Sequence, residues 1–313
     1  MRKSNIDNES LRNRNFVLAC VASFLLYASV YAVVLPLMRS GLAGDIGHYF
    51  VLGSIAVGPF HAWLADKFRR KHVWVYPFIG VLLVSVAYAY ATTPHQFSAL
   101  ALAQGVCFGL ATSAGITVSI DVVHTGHRTE ANMVYTFVGR LGMTVGAMVG
   151  LWLMPISTYH WFVPVAAGCL GVLAASWIYV PFRAPIGLPV VSTDRYVLGR
   201  AVLPACNVLL LAFACGLLAL SMPGGATSLF LLAALAPWLV RMFVKLSHHC
   251  QRATGNMTFN LFLDAGLLYG AMMGVGLAGR GMFPGWVALS LAALSVLMFV
   301  GITRVYYRKK RVR

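Results

Sequence analysis

The sequence predicts an all-α integral membrane protein, a polytopic bundle of about ten transmembrane helices in two unequal halves of six and four. Three observations support this fold class. The 313 residues are 59% hydrophobic and only 10% charged, with a mean hydropathy of +0.78, which is typical of membrane proteins. Apolar runs of roughly 16 to 24 residues recur along the chain, and such runs cross a bilayer core as helices. The basic residues are concentrated in every second segment between these runs.

The predicted helices follow from the apolar runs taken in chain order, and the second and eighth are the shortest. The first is too long for the apolar region of a signal peptide, so we expect it to stay as a membrane anchor. The ten predicted helices cover residues 15–38, 48–65, 73–92, 97–120, 134–154, 161–180, 201–220, 228–243, 258–278 and 285–306.

The charge distribution predicts the orientation. If the residues before the first helix are cytoplasmic, 21 of the 24 Lys and Arg lie in cytoplasmic segments. Only Arg39 and Arg280 lie outside, and only Arg140 lies inside the bilayer. This asymmetry predicts ten helices with both termini in the cytoplasm. The net charge of +16 is then explained by orientation and by attraction to anionic membrane lipids, and it does not indicate nucleic acid as a partner.

A segment near the middle of the chain occurs twice. Residues 124–150 agree with residues 248–274 at nine of 27 positions, at a constant offset of 124, where chance gives roughly two or three for this composition. Both copies keep a glycine at every fourth position, a pattern that lets another helix approach closely. These predicted packing glycines are Gly142, Gly146, Gly150, Gly266, Gly270 and Gly274.

A charged turn between the second and third predicted helices carries a resemblance to a known family. Asp66 ends one helix, and Lys67, Arg70 and Lys71 follow it. This resembles the Gly-x-x-x-Asp-Arg-x-Gly-Arg-Arg loop of the major facilitator superfamily, although both glycines and the first arginine are replaced. In that family the loop latches neighbouring helices in one conformation, so the resemblance implies a latch. An ordinary positive-inside loop is the alternative.

The resemblance also explains the repeat, because members of this superfamily are built from two six-helix halves related by an axis along the membrane normal. We therefore expect residues 1–180 to form a six-helix bundle, residues 181–200 a cytoplasmic linker, and residues 201–313 a four-helix bundle with a basic tail. The match of the seventh predicted helix to the third predicts that the second half lacks its first two helices. A homo-oligomer is one way to close the resulting gap.

Two charges lie inside predicted helices at equivalent places of the repeat, Arg140 in the first copy and Asp264 in the second. Each is six residues beyond the start of its predicted helix, about 9 Å deep. A buried charge needs a partner, so we expect the two to approach each other as a gate, or as a static pair between the halves. Asp264 is also the candidate for coupling to a proton or cation. The two roles compete, because a carboxylate held by an arginine is less available to a proton.

The remaining polar residues of the helices suggest a solute path but no covalent chemistry. Gln104, Tyr135, Asn207 and Asn260 are candidates to contact a solute, or else to form contacts between helices. No pattern predicts a metal site, a cofactor or an enzyme active site. The resemblance implies a secondary transporter of an unidentified small solute in a bacterial inner (plasma) membrane. The alternative is a transport-inactive scaffold or binding protein derived from such a transporter.

Overall fold

The computed structural model describes residues 11–41, 45–153, 161–180, 197–222, 224–248 and 251–310. Within these residues the chain forms twelve α-helices, which build one all-helical bundle. Their bounds are α1 Arg14–Ser40, α2 Ile46–Ala56, α3 Gly58–Lys67, α4 Arg70–Tyr88, α5 Pro94–Asp121, α6 Arg128–Leu153, α7 Phe162–Ser176, α8 Val202–Ser221, α9 Ser228–Leu246, α10 Arg252–Gly279, α11 Gly285–Met298 and α12 Arg304–Lys310.

The helices agree with the predicted spans, although several of their ends shift and two spans are not continuous α-helices. The second predicted span is broken into α2 and α3, because the proline after Gly58 has no N–H to continue the hydrogen-bond ladder and instead opens α3. The last span continues from α11 into α12 through a π-helical turn, Phe299–Thr303. In the described part of the chain, eight helical segments are long and apolar enough to cross a membrane. Two apolar helices are shorter, Ile46–Ala56 and Phe162–Ser176.

The glycines of α6 bring that helix onto the backbone of α1. A Cβ atom at Gly142 would collide with the backbone of Phe24, and one at Gly146 would collide with that of Ala28. Gly150 meets Ala32 in the same way. The missing side chains therefore let two long helices pack backbone to backbone, as small-residue stripes do in membranes.

The glycines of α10 make the equivalent contacts with α8. Gly266 meets the backbone of Leu209, and Gly270 meets that of Phe213. Gly274 meets Leu217. Each contact partner in α8 lies 185 positions after the equivalent partner in α1, at all three glycines. This constant register identifies α8 as the counterpart of α1.

This register corrects the expectation that the second half lacks its first two helices. With α8 equivalent to α1 and α10 equivalent to α6, the two helices without counterparts are α4 and α5. The other contacts agree, since α11 packs on α8 as α7 packs on α1, and α9 packs on α6 as α2 packs on α10. The match between the third and seventh predicted helices misled because it rested on three short features, an acidic and basic start, a proline and a Val-Leu-Leu run. Most of the expected linker, residues 181–196, lies outside the described residues.

Candidate functional site

An ion pair between α6 and α10 lies at the centre of the bundle. The Arg140 guanidinium donates through Nη1 to Oδ1 of Asp264, and its Nη2 lies 3.4 Å from Oδ2. Arg140 is 1% exposed and Asp264 is 7% exposed. The two residues occupy the same position in the two copies of the repeat, so the pair joins a helix to its own duplicate.

Two neighbouring side chains add hydrogen bonds to this pair, although the Nε of Arg140 has no hydrogen-bond partner among the described residues. The Tyr31 hydroxyl of α1 donates to Oδ1 of Asp264 at 2.6 Å. Nη2 of Arg140 also donates to Oδ1 of Asn260, one turn before Asp264, at 2.8 Å. Four polar side chains from three helices thus meet in one central cluster. Sequence reasoning missed Tyr31, because its helix is far from the repeat in the chain and carries no charge there.

Aromatic rings surround the guanidinium. The Arg140 Cζ atom lies 4.9 Å from the ring centre of Tyr27 and 6.0 Å from that of Phe259. Phe108 of α5 stands edge-on to Tyr27, with ring centres 5.1 Å apart. A cation over aromatic faces is stabilised by the ring quadrupoles, and more strongly where water is excluded.

A second pair of equivalent residues joins the same two helices. Asn132 and Asn256 exchange two hydrogen bonds, each side-chain amide donating to the other's oxygen at 2.9 Å. Both residues are 1% exposed. They lie two turns before Arg140 and Asp264, nearer the start of α6 and α10. This amide pair closes the bundle on that side of the ion pair.

The ion pair lies farther from the start of its two helices than the predicted spans indicate. Both α6 and α10 begin six residues before the predicted spans, at Arg128 and Arg252. Arg140 and Asp264 are therefore twelve residues into their helices, about 18 Å at 1.5 Å per residue. The difference arises because the predicted spans assign the polar first turns of both helices to the loops. The pair belongs to the middle of the bundle.

A small cavity borders the ion pair. It lies between α2, α5 and α10, has a volume of about 20 Å³, and is lined by Asp264, Asn260, Thr112 and Ser54 together with apolar neighbours. This is room for about one water molecule. The described structure thus holds the pair in a closed polar cluster beside a cavity too small for an organic solute.

One residue of the predicted latch loop forms a charged contact with a neighbouring helix. Arg70, on the first turn of α4, pairs with Asp121 at the end of α5. A cation at a helix start and an anion at a helix end are each unfavourable with the helix dipole, and their pairing offsets both. Lys67 lies over the ring of Trp63 at 4.7 Å, and Lys71 is partly exposed. The side chain of Asp66 is outside the described residues.

Three of the four predicted path residues lie away from the ion pair. Gln104 is buried in α5 and accepts from the Tyr88 hydroxyl at 3.3 Å. Tyr135 packs its hydroxyl beside Gly115 of α5. Asn207 of α8 donates to the backbone oxygen of Ser295 in α11 at 2.7 Å. Only Asn260 lies in the central cluster.

The part of the chain that the structure describes contains no group of three or more His, Cys, Asp or Glu side chains placed to hold a metal ion. His48, in the first turn of α2, contacts the Tyr269 hydroxyl of α10 at 3.0 Å.

A bundle of apolar helices in which duplicated helices meet around a buried, charged centre defines an integral membrane protein of the type that forms solute carriers. The comparison with known families agrees with this class. The chain belongs to the Major Facilitator Superfamily, whose sequence model matches residues 15–305.

Among curated proteins, the chain is similar to the gallate transporter of Pseudomonas putida, at 29% identity over 152 residues, which is 48% of this chain and 31% of that protein. It is 31% identical to the 4-hydroxybenzoate transporter PcaK of Pseudomonas aeruginosa, with the same coverage of both chains. A putative multidrug resistance protein, MdtD of Yersinia enterocolitica, is 26% identical over 41% of this chain and 28% of its own length. The chain thus spans less than a third of the length of the curated relatives it matches.

Solved structures share the fold. A mutant form of the nucleoside transporter NupG superposes with a TM-score of 0.60 at 14% identity, covering 93% of this chain and 99% of that chain. The human organic anion transporter TETRAN superposes with a TM-score of 0.59 at 13% identity, covering 96% and 99%. At these identities the likeness concerns the fold alone.

Proposed function

We propose that this protein is a secondary transporter that moves a small organic anion across the membrane by relative motion of its two halves. The observation that carries the proposal is the buried Arg140–Asp264 pair between the duplicated helices. Replacing a buried ion pair by apolar residues is often neutral or stabilising, so packing alone does not require these charges. The two charges are therefore needed in a conformation in which Arg140 and Asp264 are apart.

The charge balance of the cluster supports an anionic solute taken up with a proton. When Asp264 is ionised, it neutralises Arg140. A proton on Asp264 removes that negative charge and leaves a buried guanidinium, which costs several kcal/mol unless another anion takes its place. A carboxylate solute supplies the missing charge, so binding of the proton and binding of the anion favour each other.

The rings around Arg140 support an aromatic or otherwise flat carboxylate. Tyr27 and Phe259 already face the guanidinium, and aromatic rings pack well on such walls. Two relatives are named as transporters of gallate and of 4-hydroxybenzoate, both of which are aromatic carboxylates. These two acids are therefore the first compounds to test.

We also propose that both ends of the described chain face the cytoplasm of a bacterial cell, with the protein in the inner membrane. The positive residues around α1, α4 and α12 support this orientation. The Asn132–Asn256 pair then lies on the cytoplasmic side of the ion pair, and it must open before a solute can leave toward the cytoplasm.

A transporter in its occluded state and a scaffold would both have this closed cluster, so the test must detect movement of solute. Purified protein is reconstituted in liposomes, and uptake of labelled 4-hydroxybenzoate and gallate is followed with an inward proton gradient. We expect accumulation above equilibrium for the unchanged protein, and loss of gradient-driven accumulation for Asp264→Asn. The control variant is Gly276→Ala, a position with open space around it.

Cysteine accessibility tests the motion without a known solute. In a background from which all six native cysteines have been removed, a single cysteine at Thr136 is labelled from each side of the membrane. Labelling from either side under different conditions supports alternating access. Protection from both sides under every condition, together with no uptake of either acid, favours the scaffold.

A further inference from the structure

A groove on the outside of the bundle lies apart from the central cluster. It is a cavity of about 560 Å³ between α3, α4 and α5, at the end where α3 turns into α4. Its apolar and aromatic walls are formed by Leu64, Phe68, Val73, Tyr76, Pro77 and Leu110. The groove is large enough to bind part of an organic molecule and is lined by groups that prefer hydrocarbon.

The groove opens toward the surrounding membrane. Tyr76 is 65% exposed, and Leu83, two turns further along the same face of α4, is 63% exposed. Phe68, at the turn, is 50% exposed. Exposed apolar side chains on one face of a membrane helix mark the face that contacts lipid.

Positive charge lines the same groove at the turn. Lys67 and Arg69 supply this charge to the lining, and the imidazole of His72 lies beside them. Among the described residues, the contacts of Lys67 are with the rings of Trp63 and Phe68, at 4.7 and 6.0 Å, and these leave its ammonium at the exposed end of the groove. His72 stacks on Tyr76 with ring centres 5.4 Å apart. Cations thus lie at one end of an apolar channel.

We propose that this groove binds an anionic phospholipid, with the phosphate beside Lys67 and Arg69 and an acyl chain along the apolar wall. Basic groups between helices at a membrane surface attract anionic headgroups, and the apolar wall favours a ligand that has a hydrocarbon tail. A soluble phosphate compound would leave that wall empty. The proposal does not depend on transport, because none of the groove residues contacts the Arg140–Asp264 cluster.

The test uses the full-length protein purified in mild detergent, with native mass spectrometry to count retained lipids. Equal amounts of phosphatidylglycerol and phosphatidylcholine with identical acyl chains compete for the protein. We expect several-fold preference for phosphatidylglycerol. Lys67→Gln and Arg69→Gln should each reduce that preference about fivefold, which corresponds to about 1 kcal/mol for each basic residue. Charge reversal at both positions should abolish it.

The matched control removes charge elsewhere. Arg308→Gln with Lys309→Gln takes two exposed cations from α12, away from the groove, and should leave the preference unchanged. All variants are compared only after their melting temperatures have been shown to match. Equal retention of the two lipids, or an equal loss of preference in the α12 control, overturns the proposal. Displacement of phosphatidylglycerol by inorganic phosphate also overturns it, because the site would then recognise the anion alone.

Discussion

Removing one member of the central ion pair should destabilise the protein far more than removing both. Asp264→Leu leaves Arg140 as a charge that is 1% exposed, and breaking a buried pair from one side costs about 3–5 kcal/mol. Arg140→Met has a similar cost because it leaves the carboxylate. The combined variant buries no charge, so its cost should be well below the sum of about 6–10 kcal/mol.

The remaining cost of the combined variant comes from two groups that lose a partner, the Tyr31 hydroxyl and the side-chain oxygen of Asn260. Tyr31 is 0% exposed and donates to Asp264, so Asp264→Leu leaves that donor without its acceptor, at about 1–3 kcal/mol. Adding Tyr31→Phe removes the first of these, and the cavity beside Asn260 has room for a water molecule that can donate to its oxygen. The triple variant should therefore approach the stability of the unchanged protein, with a coupling energy of about 3–9 kcal/mol between positions 140 and 264 by subtraction.

Equilibrium unfolding in mixed detergent micelles, followed by circular dichroism, measures these differences. Additive losses in the combined variant would refute the reasoning, since they would mean that the two charges do not depend on each other. The triple variant also separates structure from function. We expect it to fold and to lose proton-driven uptake, whereas uptake at the unchanged rate would assign the pair a structural role only.

Three further predictions concern the packing and the polar contacts between helices. Gly270→Leu should lower the free energy of unfolding by about 1–3 kcal/mol or prevent folding, because the new side chain would collide with the backbone of α8. Gly276→Leu, at a position with open space, should leave the melting temperature unchanged, and equal effects of the two variants would contradict the packing register. Asn132→Ala should lower the free energy of unfolding by about 1–3 kcal/mol, because it leaves the Asn256 amide without its partner. Leucine at both positions should recover most of this stability in the same unfolding assay, and no recovery would contradict the reciprocal pair. Arg70→Gln should cost about 1–3 kcal/mol, because a hydrogen bond to the buried carboxylate at the end of α5 is lost, and an unchanged unfolding midpoint would show that this contact contributes nothing.

The sequence predicts what depends on periodicity and on the repeat. The apolar runs locate the helices, and the offset of 124 places Arg140 opposite Asp264 before any coordinates are known. It does not predict contacts from helices outside the repeat, such as those of Tyr31 and Asp121, because their spacing in the chain carries no information about which helix faces them. The sequence pattern also could not identify the two helices that lack counterparts, because that assignment depends on which backbone the glycines of α10 contact.

The two interhelical pairs explain why the two copies of the repeat carry the same residue at one position and different residues at another. Where a helix meets its duplicate about a symmetry axis, each residue faces its own copy. Asparagine can face itself, because its side chain carries both a donor and an acceptor, and Asn132 therefore keeps its identity in Asn256. Arginine has only donors and a fixed charge, so two copies would repel each other in a site that excludes water. The acid at Asp264 instead forms an ion pair with Arg140, and it makes the two halves unequal in charge where they meet.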